Sequence, residues 1–108
     1  MARGDAVTGI GSVNAGQNVY YQPASGVEVM LTAITWDSVL GTVPNQYFDR
    51  LQAGIYDGTN WSKFLQSPLV SDAFKIRIII TNSIYLKIFA DTGGASSFKY
   101  GYDGIQTK

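Results

Sequence analysis

The 108-residue chain contains no histidine and no cysteine. The first absence removes the commonest general base and metal ligand; the second removes thiol nucleophiles, thiolate zinc sites and disulfides. Together they exclude every Ser-His and Cys-His nucleophile pair. Glutamate occurs once, at Glu28, so acid–base work would fall to that residue and seven aspartates. Five of the aspartates stand beside Gly or Ser or open a turn, where the side chain bonds nearby backbone amides. No apolar run approaches the length of about 18–20 residues that spans a bilayer. The opening Met1-Ala2-Arg3-Gly4-Asp5 has no apolar segment behind its charges, so no secretory signal is expected and synthesis is expected to be cytosolic. These absences lead to four expectations: not an enzyme, no cofactor, no bound metal and no membrane partner.

Charge is also scarce. Charged residues are 15% of the chain against about a quarter in an ordinary soluble domain, and the formal net charge is zero. The first half carries Arg3 and Arg50 against Asp5, Glu28, Asp37 and Asp49; the second half has six basic and four acidic residues. That mild asymmetry is far from the basic stripe of a nucleic-acid binder, so no nucleic-acid partner is expected. Hydrophobic residues reach 45%. A domain this small buries only roughly 60–65% of its unfolded surface, so much apolar area stays outside unless another subunit covers it. Near-zero charge likewise suits an assembled subunit better than a free monomer.

The chain is long enough for one core and too short for two. Residues 1–17, rich in Gly, Ala and small polar residues, read as an extended N-terminal arm or short edge strand, and residues 18–108 as a single β-sandwich domain. Asn18 to Gln22 reads as a strand ended by Pro23 and the turn Ala24-Ser25-Gly26; Val27 to Trp36 is a second strand, apolar on both faces. Residues 37–46 read as a loop. Ala53 to Tyr56 runs into Asp57-Gly58, a turn that would set Tyr56 opposite Trp61 on the return strand. Ser67-Pro68 starts a connection to residue 74, and Thr92-Gly93-Gly94-Ala95 is a turn before Ser97 to Tyr102. Seven to eight short strands with turns every 8–12 residues or so, and no helical periodicity, predict an all-β antiparallel β-sandwich of jelly-roll-like topology.

The clearest local pattern is Lys75-Ile76-Arg77-Ile78-Ile79-Ile80, a turn at Thr81-Asn82-Ser83, and Ile84-Tyr85-Leu86-Lys87-Ile88-Phe89. Ile76, Ile78, Ile80, Ile84, Leu86 and Ile88 alternate onto one face and predict a core-facing hairpin with Ile78 opposite Leu86. The other face holds Ile79, Tyr85 and Phe89 among Lys75, Arg77 and Lys87, an apolar-rich surface suited to a partner.

Weak motifs are outweighed by structural readings. Asp57-Gly58-Thr59-Asn60 lacks the spacing and terminal Glu of a calcium loop and reads as a hairpin turn. Gly9-Ile10-Gly11 has no following helix to make a phosphate site. Arg3-Gly4-Asp5 is the integrin tripeptide but sits in a terminal arm. Seven Tyr, five Phe and two Trp leave a carbohydrate- or receptor-binding module open, with Trp36 or Trp61 as the stacking surface. A carboxylate-dependent enzyme built on Glu28 ranks below it.

Three segments, Met1-Ala2-Arg3-Gly4-Asp5-Ala6, Ile78-Ile79-Ile80-Thr81-Asn82-Ser83-Ile84-Tyr85 and Tyr100-Gly101-Tyr102-Asp103-Gly104-Ile105-Gln106, resemble small virion structural proteins of tailed bacteriophages, of the head-decoration or cement type. The resemblance covers about a third of the chain. It implies an all-β fold, no catalysis, production in the host cytoplasm and residence in the virion. It further implies a homo-oligomer, a trimer where lattice positions are three-fold, bound to the major capsid protein or another virion protein. It supplies no set of binding residues. From the residues themselves, the interface candidates are Arg3, Asp5, Val7, Ile10 and Val13 of the arm, and Ile79, Tyr85 and Phe89 of the hairpin.

Overall fold

Among the described residues the fold has eight strands: β1 (Ala6–Asn14), β2 (Asn18–Tyr21), β3 (Val29–Ser38), β4 (Leu51–Tyr56), β5 (Trp61–Ser67), β6 (Ser71–Ile80), β7 (Tyr85–Ala90) and β8 (Ser97–Gln106). They were obtained from a computed structural model that describes residues 3–14, 16–38, 51–67, 71–90 and 97–108. The expected loop at 37–46 is strand at Asp37 and Ser38, which end β3, and the expected connection from Ser67 to residue 74 is strand from Ser71, where β6 starts. Residues 39–46, residues 68–70 and the turn at 92–95 lie outside the described residues.

The strands form two four-stranded sheets, ordered β1-β8-β3-β6 and β2-β7-β4-β5. All pairings are antiparallel, and they nest: β4 with β5, β3 with β6, β2 with β7 and β1 with β8. One long hairpin whose arms roll up produces that nesting, and the roll brings β8 against β3 and β7 against β4. This is the jelly-roll order, so the expected antiparallel sandwich is what the chain forms.

Period-2 alternation explains the core. Val29, Leu31, Ile34 and Trp36 point inward from β3, Leu86, Ile88 and Ala90 from β7, and Leu51 and Ala53 from β4; all are buried. The step from Leu31 to Ile34 breaks strict alternation because a register irregularity lies between Leu31 and Ala33, where an extra residue turns the strand's phase. The sandwich is closed at its sides by stacked rings. Phe64 lies against Phe74 at 6.1 Å between centroids, and Tyr21 against Tyr102 at 4.8 Å.

Two expectations are overturned. First, β6 and β7 do not pair, because they belong to different sheets. Ile78 faces Leu31 of β3, while Leu86 faces Ile55 of β4 and Tyr21 of β2. Thr81 to Ile84 is therefore a corner between sheets. The Thr81 N–H donates to the Ile84 carbonyl at 2.7 Å, and Thr81 Oγ1 accepts from the Ser83 and Ile84 amides. Asn82 Nδ2 donates to the Pro23 carbonyl at 3.0 Å, tying the corner to the end of β2. Strands facing each other across a core need the same alternation as strands side by side, so the local pattern fits both. Ile80, Leu86 and Ile88 are buried as expected and Ile76 and Ile78 half-buried, but Ile84 is exposed at the corner.

Second, of the two readings of the N-terminal segment, residues 6–14 take the edge strand and not the arm. They form β1, paired along its whole length with β8, and Val7 and Val13 are buried in the core. The glycines of β1 are a packing device. Gly9 faces Tyr102 and Gly11 faces Tyr100 across the ladder. A Cβ at Gly9 would collide with the Tyr102 ring, and one at Gly11 would lie 2.7 Å from Tyr100 Oη. The tyrosines occupy the space the missing side chains leave, a pairing of edge glycine with aromatic ring that stabilises sheets.

Candidate interaction surfaces

The outer face of β2-β7-β4-β5 is aromatic and basic. Register sets Tyr85, Tyr56 and Trp61 in one rung, and Tyr20, Lys87, Gly54 and Lys63 in the next. The pairing of Tyr56 with Trp61 across the Asp57–Asn60 turn is the one expected from sequence. Tyr20, Tyr56 and Tyr85 form a near-equilateral triad, with centroids 5.6, 5.8 and 6.0 Å apart. Tyr20 is the most open member, 46% exposed. The Lys87 ammonium lies 4.6 Å from the Tyr56 ring centre and 4.2 Å from that of Trp61, while Lys63 lies 4.9 Å from Trp61. Such contacts favour a cation on the π-face and hold the lysines flat on the sheet.

The Asp57 turn sits at the end of this face. Asp57 Oδ1 accepts from the Thr59 and Asn60 amides at 2.9 and 2.6 Å, and Oδ2 accepts from Asn60 Nδ2 at 3.3 Å. These bonds, the Asn60 amide first, hold its carboxyl below the usual range, as a structural Asx turn requires. The carboxylate is committed to the turn, in agreement with the hairpin reading of Asp57-Gly58-Thr59-Asn60.

The outer face of β1-β8-β3-β6 is different. Ala6, Ile105, Met30 and Ile79 lie in one rung that crosses all four strands. Ile10 is 87% exposed and Ile79 45%. Beside Ile10 a depression of about 370 Å³ runs over Thr8, Thr35, Gly101 and Asp103, where Gly101 leaves the sheet surface low. The neighbouring outward positions are charged or small, among them Lys75, Lys99 and Asp103, all exposed.

The sequence-derived interface residues therefore separate into three places. Val7 and Val13 are core residues and present nothing on the outer face. Ile79 and Ile10 are on one outer face, while Tyr85 and Phe89 are on the opposite one, because the corner at Thr81 carries β6 and β7 into different sheets. Arg3 and Asp5 are exposed just ahead of β1, where the Gly4 amide bonds the Gln106 carbonyl and the Gln106 amide bonds the Asp5 carbonyl.

The other candidates are also placed. Trp36 is buried in the core and presents no stacking surface. Trp61 is half-buried with Lys63 and Lys87 against its ring and Phe89 at its edge, 6.1 Å between centroids. Glu28 precedes β3 instead of lying inside it, and it anchors the chain end: Thr107 Oγ1 donates to its carboxylate at 2.9 Å, and the Thr107 amide donates to its carbonyl at 2.8 Å. Among the described residues no group of three or more His, Cys, Asp or Glu could hold a metal.

Burial raises the phenol pKa of Tyr21 and of Tyr102; neighbouring Tyr21 and Tyr100 add to the effect at Tyr102. The sequence left the tyrosine triad unseen because its members come from three strands. Only the link from Tyr56 to Trp61 was local enough to read. No protein-family model matches the chain, and no curated protein matches it.

Proposed function

We propose that this protein is a non-enzymatic structural protein of a tailed-phage virion, a decoration or cement protein that binds the head exterior as an oligomer and stabilises it. The observation that carries this reading is that both outer faces of the sandwich keep large apolar or aromatic side chains at the surface. Ile10, Ile79 and Ile105 are exposed on one side and Tyr20 on the other. A subunit that contacts copies of itself on one side and a capsid protein on another has a use for two such faces. Jelly rolls are also frequent among capsid proteins, a likeness of fold alone. Quantitative mass spectrometry of purified particles tests the reading. Hundreds of copies per particle are expected; a few copies point to the tail or a vertex, and absence from particles overturns it.

The tyrosine triad favours a second reading, a carbohydrate- or receptor-binding module of a virion tail or fibre. Tyrosine rings stack on the apolar faces of sugars, and these three cluster on one face, tilted 34–90° to one another, with Tyr20 the most open. Glycan binding that is abolished by Tyr20→Ala, with the fold intact, would put this reading first.

A further inference from the structure

The sheet β1-β8-β3-β6 has two borders, β1 and β6. A border strand shows a row of unpaired N–H and C=O groups, and proteins guard such rows with charges, proline or a bulge. On β6 the exposed positions include Lys75 and Arg77. β1 itself carries no such guard, and among the described residues no strand but β8 pairs with it. Its nine residues, Ala-Val-Thr-Gly-Ile-Gly-Ser-Val-Asn, contain no charge and no proline, and they pair with β8 without any register shift. Ile10, its middle residue, is 87% exposed.

The strand also reads nearly the same in both directions about Ile10. Glycines stand at 9 and 11, hydroxyl residues at 8 and 12, and valines at 7 and 13. Antiparallel pairing about a two-fold axis through Ile10 would set Ile10 against Ile10, Gly9 against Gly11, Thr8 against Ser12 and Val7 against Val13. Each side chain meets its own kind on the same face. A slip of two residues would lose this match, placing Ile10 opposite Thr8 or Ser12.

We infer that β1 is a self-recognition edge, through which two copies of this chain join by antiparallel β1–β1 pairing about a two-fold axis at Ile10. Two four-stranded sheets become one of eight strands, with an isologous interface. The open backbone row provides the hydrogen bonds. The exposed Ile10 side chains provide apolar contact, and Thr8 with Ser12 provides a hydroxyl pair of the kind found across ladders. The inference needs no part of the virion reading.

The test uses the full chain in sedimentation or light scattering across concentration, with two kinds of variant. A dimer is expected for the unaltered protein. Ile10→Lys, which sets like charges face to face, is expected to weaken self-association by at least about tenfold while the β spectrum is unchanged, because the side chain is already in solvent. The chain has no cysteine, so Ile10→Cys gives a clean cross-linking probe. Opposed residues in an antiparallel pair sit at about 4.5–5.5 Å between Cα atoms, within disulfide reach. Ile10→Cys is expected to form a disulfide-linked dimer and Thr8→Cys, whose opposite residue is Ser12, is not. A monomer at every soluble concentration, or an oligomer unaffected by Ile10→Lys, overturns the inference and leaves the virion proposal standing. Equal cross-linking of Thr8→Cys and Ile10→Cys overturns the two-fold at Ile10.

Discussion

β1 and β6 border the same sheet, and their sequences are near opposites. β6 holds the densest isoleucine run of the chain, yet Ile76 and Ile78 are only half-buried and Ile79 is 45% exposed. β1 is glycine-rich and reads from sequence as an arm or edge strand, yet it buries Val7 and Val13. Hydrophobicity along a strand therefore does not report its place in a sheet. Place is set by pairing, and the pairing of β1 rests on Tyr100 and Tyr102, which fill what Gly9 and Gly11 leave empty. The two borders also differ in what they present outward: β6 is guarded by Lys75 and Arg77 and β1 is unguarded.

The largest effect expected from this contrast follows removal of β1. Deleting residues 2–13 exposes the inner faces of Tyr100 and Tyr102 and removes buried Val7 and Val13, each worth about 1.5–3 kcal/mol. That sum is comparable with the whole stability of a small domain, so thermal melting of the deletion variant should show a cooperative transition lost or strongly lowered. An arm lying outside the sandwich would leave melting unchanged.

Point substitutions divide the two borders more finely. Val13→Ala should cost about 2 kcal/mol in denaturant unfolding and Ile79→Ala under about 1 kcal/mol, the reverse of what hydrophobicity along the sequence suggests. At the glycines, Gly9→Ala should cost about 1–3 kcal/mol, since its Cβ displaces the Tyr102 ring from its stack on Tyr21. Tyr102→Leu should absorb part of that cost, and a double-mutant cycle measures the coupling.

The smallest effect is on pH. The phenols of Tyr21 and Tyr102 are raised by burial, so the fold favours their neutral forms. The associated stability is present below the unfolded tyrosine value of about 10 and is lost as pH rises through the higher folded values. Melting followed from pH 8 upward should fall above about pH 10, and Tyr102→Phe should flatten that fall.

The sequence was legible where contacts are local. The Asp57-Gly58 turn determines which residues face each other, so Tyr56 opposite Trp61 could be read directly. Phe98, Tyr100 and Tyr102 alternate within one strand, so they share a face, Phe98 buried and the tyrosines packed against the core. Seven to eight short strands separated by turn residues were enough for the sandwich and its jelly-roll class. Long-range choices were not legible. Nothing between Ile80 and Ile84 states whether β7 folds back beside β6 or crosses to the other sheet; that depends on β3 drawing β6, and on β2 and β4 drawing β7. The role of Gly9 and Gly11 was hidden for the same reason, because the rings that explain them come about ninety residues later. The assignment of Tyr85 and Phe89 to one surface with Ile79 failed with the corner.

Residue-resolved amide hydrogen exchange along β1 and β8 tests most directly whether the N-terminal segment is a structural border strand. The result expected is protection of β1 amides that point at β8, at a level like that of the β8 amides they face, with Val7 and Val13 moving together with the core. Uniformly fast exchange from Ala6 to Asn14, with β8 still protected, would contradict it.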